Sequence, residues 1–574
     1  MSVRSLILGL DGATWDLMEP WMDEGSLPHL SRIAKGGSRG VLISTLEPIT
    51  PCAWASMVTG KNPGKTGVFD FSQVVRGTYD LRFPNRTHVA GPSLWRQAEK
   101  HGLKCGIVNV PMGFPAEVLD GIYIAGMGAP SPEDESVFSP KDLRKEVENA
   151  LGEPYGMMEF APGRKTKEGY GVLRENLLSY TDFQRRLSLH LLENHELDLF
   201  FIVFPSPDQV GHYFWKFHDR EHPLHDEREA ERFGGVMREV YQEVDKAVGE
   251  IMAACVGEKT TTWILSDHGM GPFHRVPDFV GFLEAEGYLR LKVPVAKAEK
   301  MIALAPLLGK FSSLKHHLFL ALKKVLPLPL KRFLNRLFEK QKEAYKEGMT
   351  ILSIYDWSQT RVYVTDAKNM GEIHINLKGR EPRGIVEAEE YENLREELIK
   401  LFEEASLKNG IKAVKKVHRR EEIYRGPFLE EAPDLVVEWN LAETGVLDPS
   451  EDEIPPKYRS LFRRFDLTPS WSDAILPYNG FHRMEGIWMA KGPGIKVGKK
   501  GKEAAISDPY LSILSQLGIP VPEDIDSREM DIWEEGKRPL VKREGTQGKR
   551  EGRDYTAEEE EAIKARLREM GYLG

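Results

Sequence analysis

Three apolar runs in this chain each end on an acidic residue: SLILGLDG closes on Asp11, DLFFIVFPSPD on Asp208, and TTWILSDHGM on Asp267 followed by His268. Each run has the length and β-branched or aromatic content of a buried strand, and a buried strand has no packing use for a carboxylate at its tip. Between them lie stretches with helical periodicity, LPHLSRIAKGG and REVYQEVDKAVGEIMAAC among them, and a further apolar run, KCGIVNVP. Strand and helix in alternation predict an α/β fold with a central, mostly parallel sheet flanked by helices. In such sheets ligands collect at the carboxyl ends of the strands. The repeated acidic tip is therefore read as a site.

With 574 residues the chain exceeds what one simple core accommodates, so one large catalytic domain carrying insertions is expected. The core takes residues 1–295 and 451–534, with a basic helical cap insertion at 296–345, a small α+β unit and return to the core at 346–450, and a polar tail with a terminal helix at 535–574. In the insertion, nine Lys or Arg between Lys310 and Lys342 face Glu339 alone, interleaved with Leu and Phe. A solvated helical cap over the site mouth is the favoured reading. The sharper alternative is peripheral contact with an anionic membrane through 310–342. Near the end, Thr556 and Glu559 form a capping-box pattern for a last helix.

A net charge of −10 excludes a general field for polyanions, so no sequence-specific nucleic-acid partner is expected and any anionic ligand must be held locally. Cys52, Cys105 and Cys255 are too few for a disulfide framework or a four-thiolate zinc site, which fits a reducing cytoplasm. The opening apolar run is interrupted by Asp11 and reads as a first core strand, and no stretch approaches the roughly 18 apolar residues that span a bilayer. Abundant Lys and Glu with scarce Cys give a weak thermophile signature.

Thr50 stands before Pro51 in EPITPCAWASMVTG, which suits an N-cap followed by proline at the first helical position. Taken alone, an ordinary cap is the better reading; a threonine alcohol is scarcely ionised at neutral pH and needs a divalent cation to become a nucleophile. Donors for such a cation are at hand. Asp208 and His212 are four residues apart and would share one face of a helical turn. Asp267 and His268 precede Gly269 at a strand end, and His482 lies in NGFHRMEGIWMAKGPG, in a turn-rich segment ahead of a strand. Any one of these histidines is more readily structural than liganding. The set of carboxylates and imidazoles suits zinc or manganese, and two ions about 4 Å apart can clamp an in-line displacement.

Taken in order, LGLDGATW, ITPCAWASMVTGKNPGKTGVFDF, PDQVGH, SDHGM and GFHRMEGIWMAKGPGI resemble the type I phosphodiesterase/nucleotide pyrophosphatase branch of the alkaline phosphatase superfamily. The resemblance runs from about residue 5 to 530 and includes ISDPYLSILSQLGIPVPEDIDSREM. YDWSQTRVYV, INLKGREPRGIV, EEIYRGPFLEEAPDLVV and the terminal MGYLG are similar to segments of an archaeal and bacterial group of predicted phosphohydrolases or phosphomutases. The resemblance implies that Asp208, His212 and His482 hold one ion, most readily zinc, while Asp11, Asp267, His268 and the Thr50 oxygen hold the other. It further implies attack by Thr50 on phosphorus and release of the intermediate by water, with no separate general base.

One departure from that pattern bears on substrate. Where nucleotide pyrophosphatases carry an Asn donor to phosphate, this chain places Phe71. Lys61 and Lys65 are candidate substitutes, although exposed loop lysines are the plainer reading, and Trp54 reads as core before it reads as pocket lining. The expectation is a phosphoester hydrolase acting on a small phosphorylated substrate whose identity stays open. Its rivals are a phosphotransferase or phosphomutase sharing the covalent intermediate, and a catalytically silent binding protein. A sulfatase is disfavoured because TPCAWAS lacks the Cys/Ser-x-Pro-x-Arg spacing, which leaves Cys52 as a packing residue.

Overall fold

A computed structural model of the chain describes residues 2–157, 167–274, 278–292, 351–365, 371–440, 451–459, 461, 478–545 and 552–570. The basic insertion expected at 296–345 lies outside the described residues. Among those described, no helix is long and apolar enough to cross a membrane.

The runs that opened the analysis form the middle of one large sheet. Ser5–Leu10 pairs in parallel with Leu199–Phe204 on one side and Thr261–Leu265 on the other. Beyond Leu199–Phe204 come Cys105–Val108 and Gly121–Ile124, both parallel, then the short antiparallel edge Phe138–Ser139. Beyond Thr261–Leu265 comes Glu485–Lys491, antiparallel, and then Ser38–Ile43 with Lys499–Lys500 and Ala504–Ala505 at the far edge. The three central strands are buried along their whole length. Such strands are covered on both faces, and this explains why their sequences are continuous apolar runs without alternation. The fold is thus α/β with a mostly parallel sheet.

Helices Pro28–Gly36, Lys167–Asn194 and Val236–Cys255 are among those that flank this sheet. Asp245, on the last of them, accepts the backbone N–H groups of His29 and Leu30 at 3.1 and 2.7 Å, fastening the start of the Pro28–Gly36 helix. All three cysteines are free and buried, and Cys52 packs with Ala55, Val68 and Val89.

A second sheet, ordered Val362–Tyr363, Glu372–Ile375, Leu435–Trp439 and Val414–Arg419, is antiparallel and carries helix Tyr391–Glu403 on one side. Its core begins at Phe279: the Phe279–Ala285 helix, assigned from sequence to residues 1–295, packs with Leu394, Leu398 and Phe402 rather than with the large sheet. The polar tail is tied back as well. Arg543–Glu544 pairs with Val521–Pro522, and Thr556 and Glu559 exchange the two hydrogen bonds of a capping box ahead of helix Ala557–Glu569.

At the heart of the second sheet, Asp434 is buried. Arg380 grips it bidentately at 2.6 and 2.7 Å, and Tyr391 and the Ile375 N–H donate to it at 2.7 and 2.6 Å. Burial opposes its ionisation, but the Arg380 guanidinium outweighs that and holds the carboxyl down at about 2. A depressed carboxyl stabilises the fold above its unfolded value near 3.8 and loses that contribution as pH falls through about 2. In urea unfolding followed between pH 5 and 2, this group should account for about 2 kcal/mol of lost stability. Asp434→Asn should remove that part of the pH dependence while lowering stability at pH 7 by about 3 kcal/mol, because Arg380 is left buried without its partner.

Candidate functional site

The three central strands deliver their tips side by side. Asp11 follows Leu10 directly, Asp267 and His268 follow Thr261–Leu265 after Ser266, and Asp208 and His212 sit on helix Ser206–His218, which starts one residue past Phe204–Pro205. His482 comes from elsewhere. The sequence placed it in a turn-rich segment ahead of a strand, whereas it lies within the strand Gly480–Arg483, paired with Gly269–Pro272 so that His482 faces Met270. Gly-Phe-His-Arg lacks the β-branched run that marks a strand; the pairing partner supplies the order instead.

Thr50 also departs slightly from expectation. It is the first residue of helix Thr50–Thr59, with Ile49 as the N-cap and Pro51 in the first turn. The hydroxyl therefore caps nothing. It lies 3.3 Å from His268 Nε2 in a fully buried position.

All seven side chains form one buried cluster. Asp208 Oδ1 is 3.2 Å from His212 Nε2 and 3.3 Å from His482 Nε2, and those two nitrogens are 3.1 Å apart. His268 Nε2 is 3.2 Å from Asp267 Oδ2 and 3.7 Å from Asp11 Oδ1, with its ring stacked on His482 at 3.7 Å. Two groups have donor atoms within 4.8 Å of one another: Asp208 with His212 and His482, and Asp11 with Asp208 and His268. Asp208 belongs to both.

Backbone carbonyls decide which imidazole nitrogen faces inward. Nδ1 of His212 meets Gly480 O at 2.9 Å, Nδ1 of His482 meets Pro48 O at 2.8 Å, and Nδ1 of His268 meets Gly269 O at 3.0 Å. A carbonyl oxygen only accepts, so each Nδ1 must carry a proton, and a neutral ring in this orientation turns its Nε2 lone pair toward the carboxylates. Burial, then neighbouring imidazoles, pushes His482 down to about 4, and burial pushes His268 down to about 4, so neither relieves the crowding by protonation at neutral pH.

The carboxylates are equally crowded. Burial first, then Asp267 and Asp208, raise Asp11 well above the usual carboxylate range, and burial with Asp208 raises Asp267 to about 7. Asp208 goes the other way: against the cost of burial, positive charge at His212 and His482 would hold it down, and a cation beside it would do the same. Asp11 Oδ1 and Asp267 Oδ2 are buried with no hydrogen-bond donor. Converging lone pairs and carboxylate oxygens without donors are what a divalent cation satisfies and what little else does. The donor set fits metal ions.

Several supporting residues escaped the sequence reading. Trp54, taken there as core, is core, but its indole N–H also donates to Asp11 Oδ2 at 3.2 Å. Gly9 makes room for that ring, since a Cβ there would come within 2.6 Å of it. Gly12, at φ +66°, lies so close that a Cβ would meet Asp208 Cα at 2.9 Å, and its N–H donates to Asp267 Oδ1 at 3.2 Å. Gln209 Nε2 donates to Asp208 Oδ2 at 2.8 Å, and the Tyr478 ring stacks on His212 at 4.1 Å.

The two lysines serve elsewhere. Lys61 is buried against Asp524 at 2.5 Å, and Lys65 binds Asp526 at 2.8 Å, so both tie the end of the Thr50–Thr59 helix to the Asp524–Ser527 loop. Phe71 packs partly buried against the principal core and offers no side-chain donor.

The family model described as type I phosphodiesterase / nucleotide pyrophosphatase matches residues 5–453. No curated protein matches the chain by sequence. Among solved structures, phosphonoacetate hydrolase from Sinorhizobium meliloti 1021 is similar at 14% identity, covering 88% of this chain and 94% of that one, with a TM-score of 0.49. Murine ectonucleotide pyrophosphatase / phosphodiesterase 5 is similar at 12% identity, covering 91% and 96%, with a TM-score of 0.42.

Because Asp208 is common to both groups, its loss should cost more metal than the loss of either group's own histidine. Elemental analysis after reconstitution with zinc or manganese should give about two ions per chain for the wild type and about one for His212→Ala. Asp208→Ala should hold fewer than either. Equal occupancy in the two variants would mean that Asp208 serves a single ion.

Proposed function

The chain belongs to the type I phosphodiesterase / nucleotide pyrophosphatase family, phosphoric ester hydrolases of the alkaline phosphatase superfamily, and we propose that it cleaves its ester through a covalent Thr50 intermediate. The observation that carries this reading is the placement of Thr50 Oγ1, at the first residue of a buried helix and 3.3 Å from the inward lone pair of His268. The helix start supplies a positive end that favours a phosphoryl anion. Because His268 Nδ1 is committed to Gly269 O, the Thr50 hydroxyl is the donor in this contact; with an ion held by both residues, the His268 lone pair and the Thr50 oxygen would turn to it instead, and the Thr50 proton would be lost more readily.

Asp208, His212 and His482 would hold one divalent ion, and Asp11, Asp267, His268 and Thr50 the other, with Asp208 near enough to contribute to both. Zinc is the first choice and manganese the second for such a mixed carboxylate and imidazole set. When bound, the ions supply positive charge to the threonine oxygen and to the phosphoryl oxygens as negative charge builds on them. The protein's share is to fix the ligands: Trp54 orients Asp11, Gln209 orients Asp208, and three carbonyls set the histidine tautomers. Thr50 then attacks in line, the ester oxygen leaves, and water resolves the phosphothreonine. The substrate is a small phosphoester, and Phe71 in place of a side-chain donor argues against a pocket committed to nucleotides.

Thr50→Ala should abolish turnover of an activated aryl phosphodiester, by at least about 10³-fold, while the thermal midpoint shifts only slightly because Thr50 makes no cap bond. Thr50→Ser should retain measurable activity. Mass spectrometry of acid-quenched wild type should find the phosphoryl group on Thr50, and turnover by Thr50→Ala near the wild-type rate would sink the assignment. Product analysis with added alcohols separates the rival outcome: label transferred to the alcohol in preference to water would make the protein a phosphotransferase with the same nucleophile.

A further inference from the structure

The last helix of the chain is remote in sequence from the Asp and His cluster, yet it ends beside it. Its approach is anchored at several points. The Arg553 carbonyl accepts from Asn85 Nδ2 at 2.9 Å, Asp554 meets His88 Nε2 at 3.0 Å, and Tyr555 stacks on Phe114 while donating to Gly128 O at 2.7 Å. Arg566 donates to Ala129 O at 3.1 Å. Phe114, Gly128 and Ala129 all belong to segments that follow the strands Cys105–Val108 and Gly121–Ile124, so the tail crosses the same end of the sheet that carries the site. Ile563, Leu567 and Met570 are buried in the principal core.

At its end the helix touches one residue of consequence. The Met570 carbonyl accepts the Tyr478 hydroxyl. The Tyr478 ring lies face to face on the His212 imidazole, 4.1 Å between centres with planes 12° apart, and Tyr213 packs edge-on against the same ring at 5.1 Å. His212 is fixed at Nδ1 by Gly480 O, and Tyr478 covers the face of its ring. A ring stacked on that face adds to the contacts that set the imidazole plane. The tyrosine hydroxyl, in turn, is held by the Met570 carbonyl, with Tyr213 also in hydrogen-bonding contact with it.

We propose that Tyr478 is a positioning residue for the ion of the Asp208, His212 and His482 group, and that the docked C-terminal helix sets the position of Tyr478. The end of the chain thereby tunes the metal affinity of one group and not the other. This rests on the reading of those three residues as metal ligands. It goes beyond that reading because Tyr478 and the tail donate nothing to an ion themselves.

The test uses the full-length chain and metal affinity as its readout. Dissociation constants for Zn²⁺ and Mn²⁺ are measured by competition with a chromophoric chelator for wild type, Tyr478→Phe, Leu567→Glu and the double variant, with His212→Ala as reference. Tyr478→Phe keeps the ring and loses the hydroxyl bond; Leu567→Glu puts a charge into the buried face of the helix and undocks it. Each single variant should weaken one ion by about tenfold and leave the other unchanged, and the double variant should be no weaker than Leu567→Glu alone, since both changes break one link. Wild-type affinity for both ions in Tyr478→Phe overturns the proposal. So does equal weakening of both ions together with a lowered thermal midpoint, which marks a purely structural role. Should Leu567→Glu fail to fold, Tyr478→Phe decides alone. Failure of the underlying metal reading is distinguishable, because His212→Ala would then bind both ions as the wild type does.

Discussion

Three carboxylates brought to neighbouring strand ends repel one another, and the rest of the site is arranged around that repulsion. Two like charges 4 Å apart cost about 4 kcal/mol at an effective dielectric of about 20, and burial adds to this. The fold could relieve the repulsion with a lysine or arginine, yet the residues facing Asp11, Asp208 and Asp267 are histidines whose protons point away to carbonyls. The raised carboxyls of Asp11 and Asp267 express the same shortage of positive charge. A chain that spends three carbonyls on turning Nε2 of three imidazoles toward three acids offers a donor set that cations would fill.

The segment that carries Thr50, the proposed nucleophile, is held by parts of the chain far from it. Tyr424, from the second unit, donates to Leu46 O at 2.6 Å, and His482 fixes Pro48 O at 2.8 Å. At the other end of the helix, Lys61 and Asn62 are bound by Asp524 and Asp526. Thr50 is thus placed by contacts from three separated segments, and moving it would disturb at least one of them. This is the rigidity that a reacting atom needs, since small misplacements of a nucleophile cost large factors in rate. His482 has a double part here, facing Asp208 with one nitrogen and gripping the nucleophile segment with the other.

The central strands were legible because burial on both faces makes them continuous apolar runs, and an acid at the tip of such a run stands out. The helical spacing of Asp208 and His212 was legible for the same local reason. What could not be read was order imposed from a distance. The strand holding His482 exists only because Gly269–Pro272 lies beside it, and Gly-Phe-His-Arg alone gives no β signal. Trp54 was readable as a core residue from its helical spacing, but its bond to Asp11 depends on Gly9 leaving space on the strand that leads into Asp11. Lys61 looked like an exposed loop lysine because its partner Asp524 is 463 residues distant. The position of Thr50 one residue inside the helix, and not at its cap, is a boundary detail of the kind local patterns resolve poorly.

Substrate recognition divides along the same line. The groups gathered at the strand ends respond to negative charge on a phosphoryl group, and so does the start of the Thr50 helix; neither distinguishes one leaving group from another. Phe71 adds no donor that would. A protein with net charge −10 also lacks a general field to draw phosphorylated molecules in, so discrimination must come from surfaces around the buried cluster. The contacts that fasten the Thr50 segment and Tyr478 come from distant parts of the chain, so a change to one of these braces would also be felt at the Asp and His cluster.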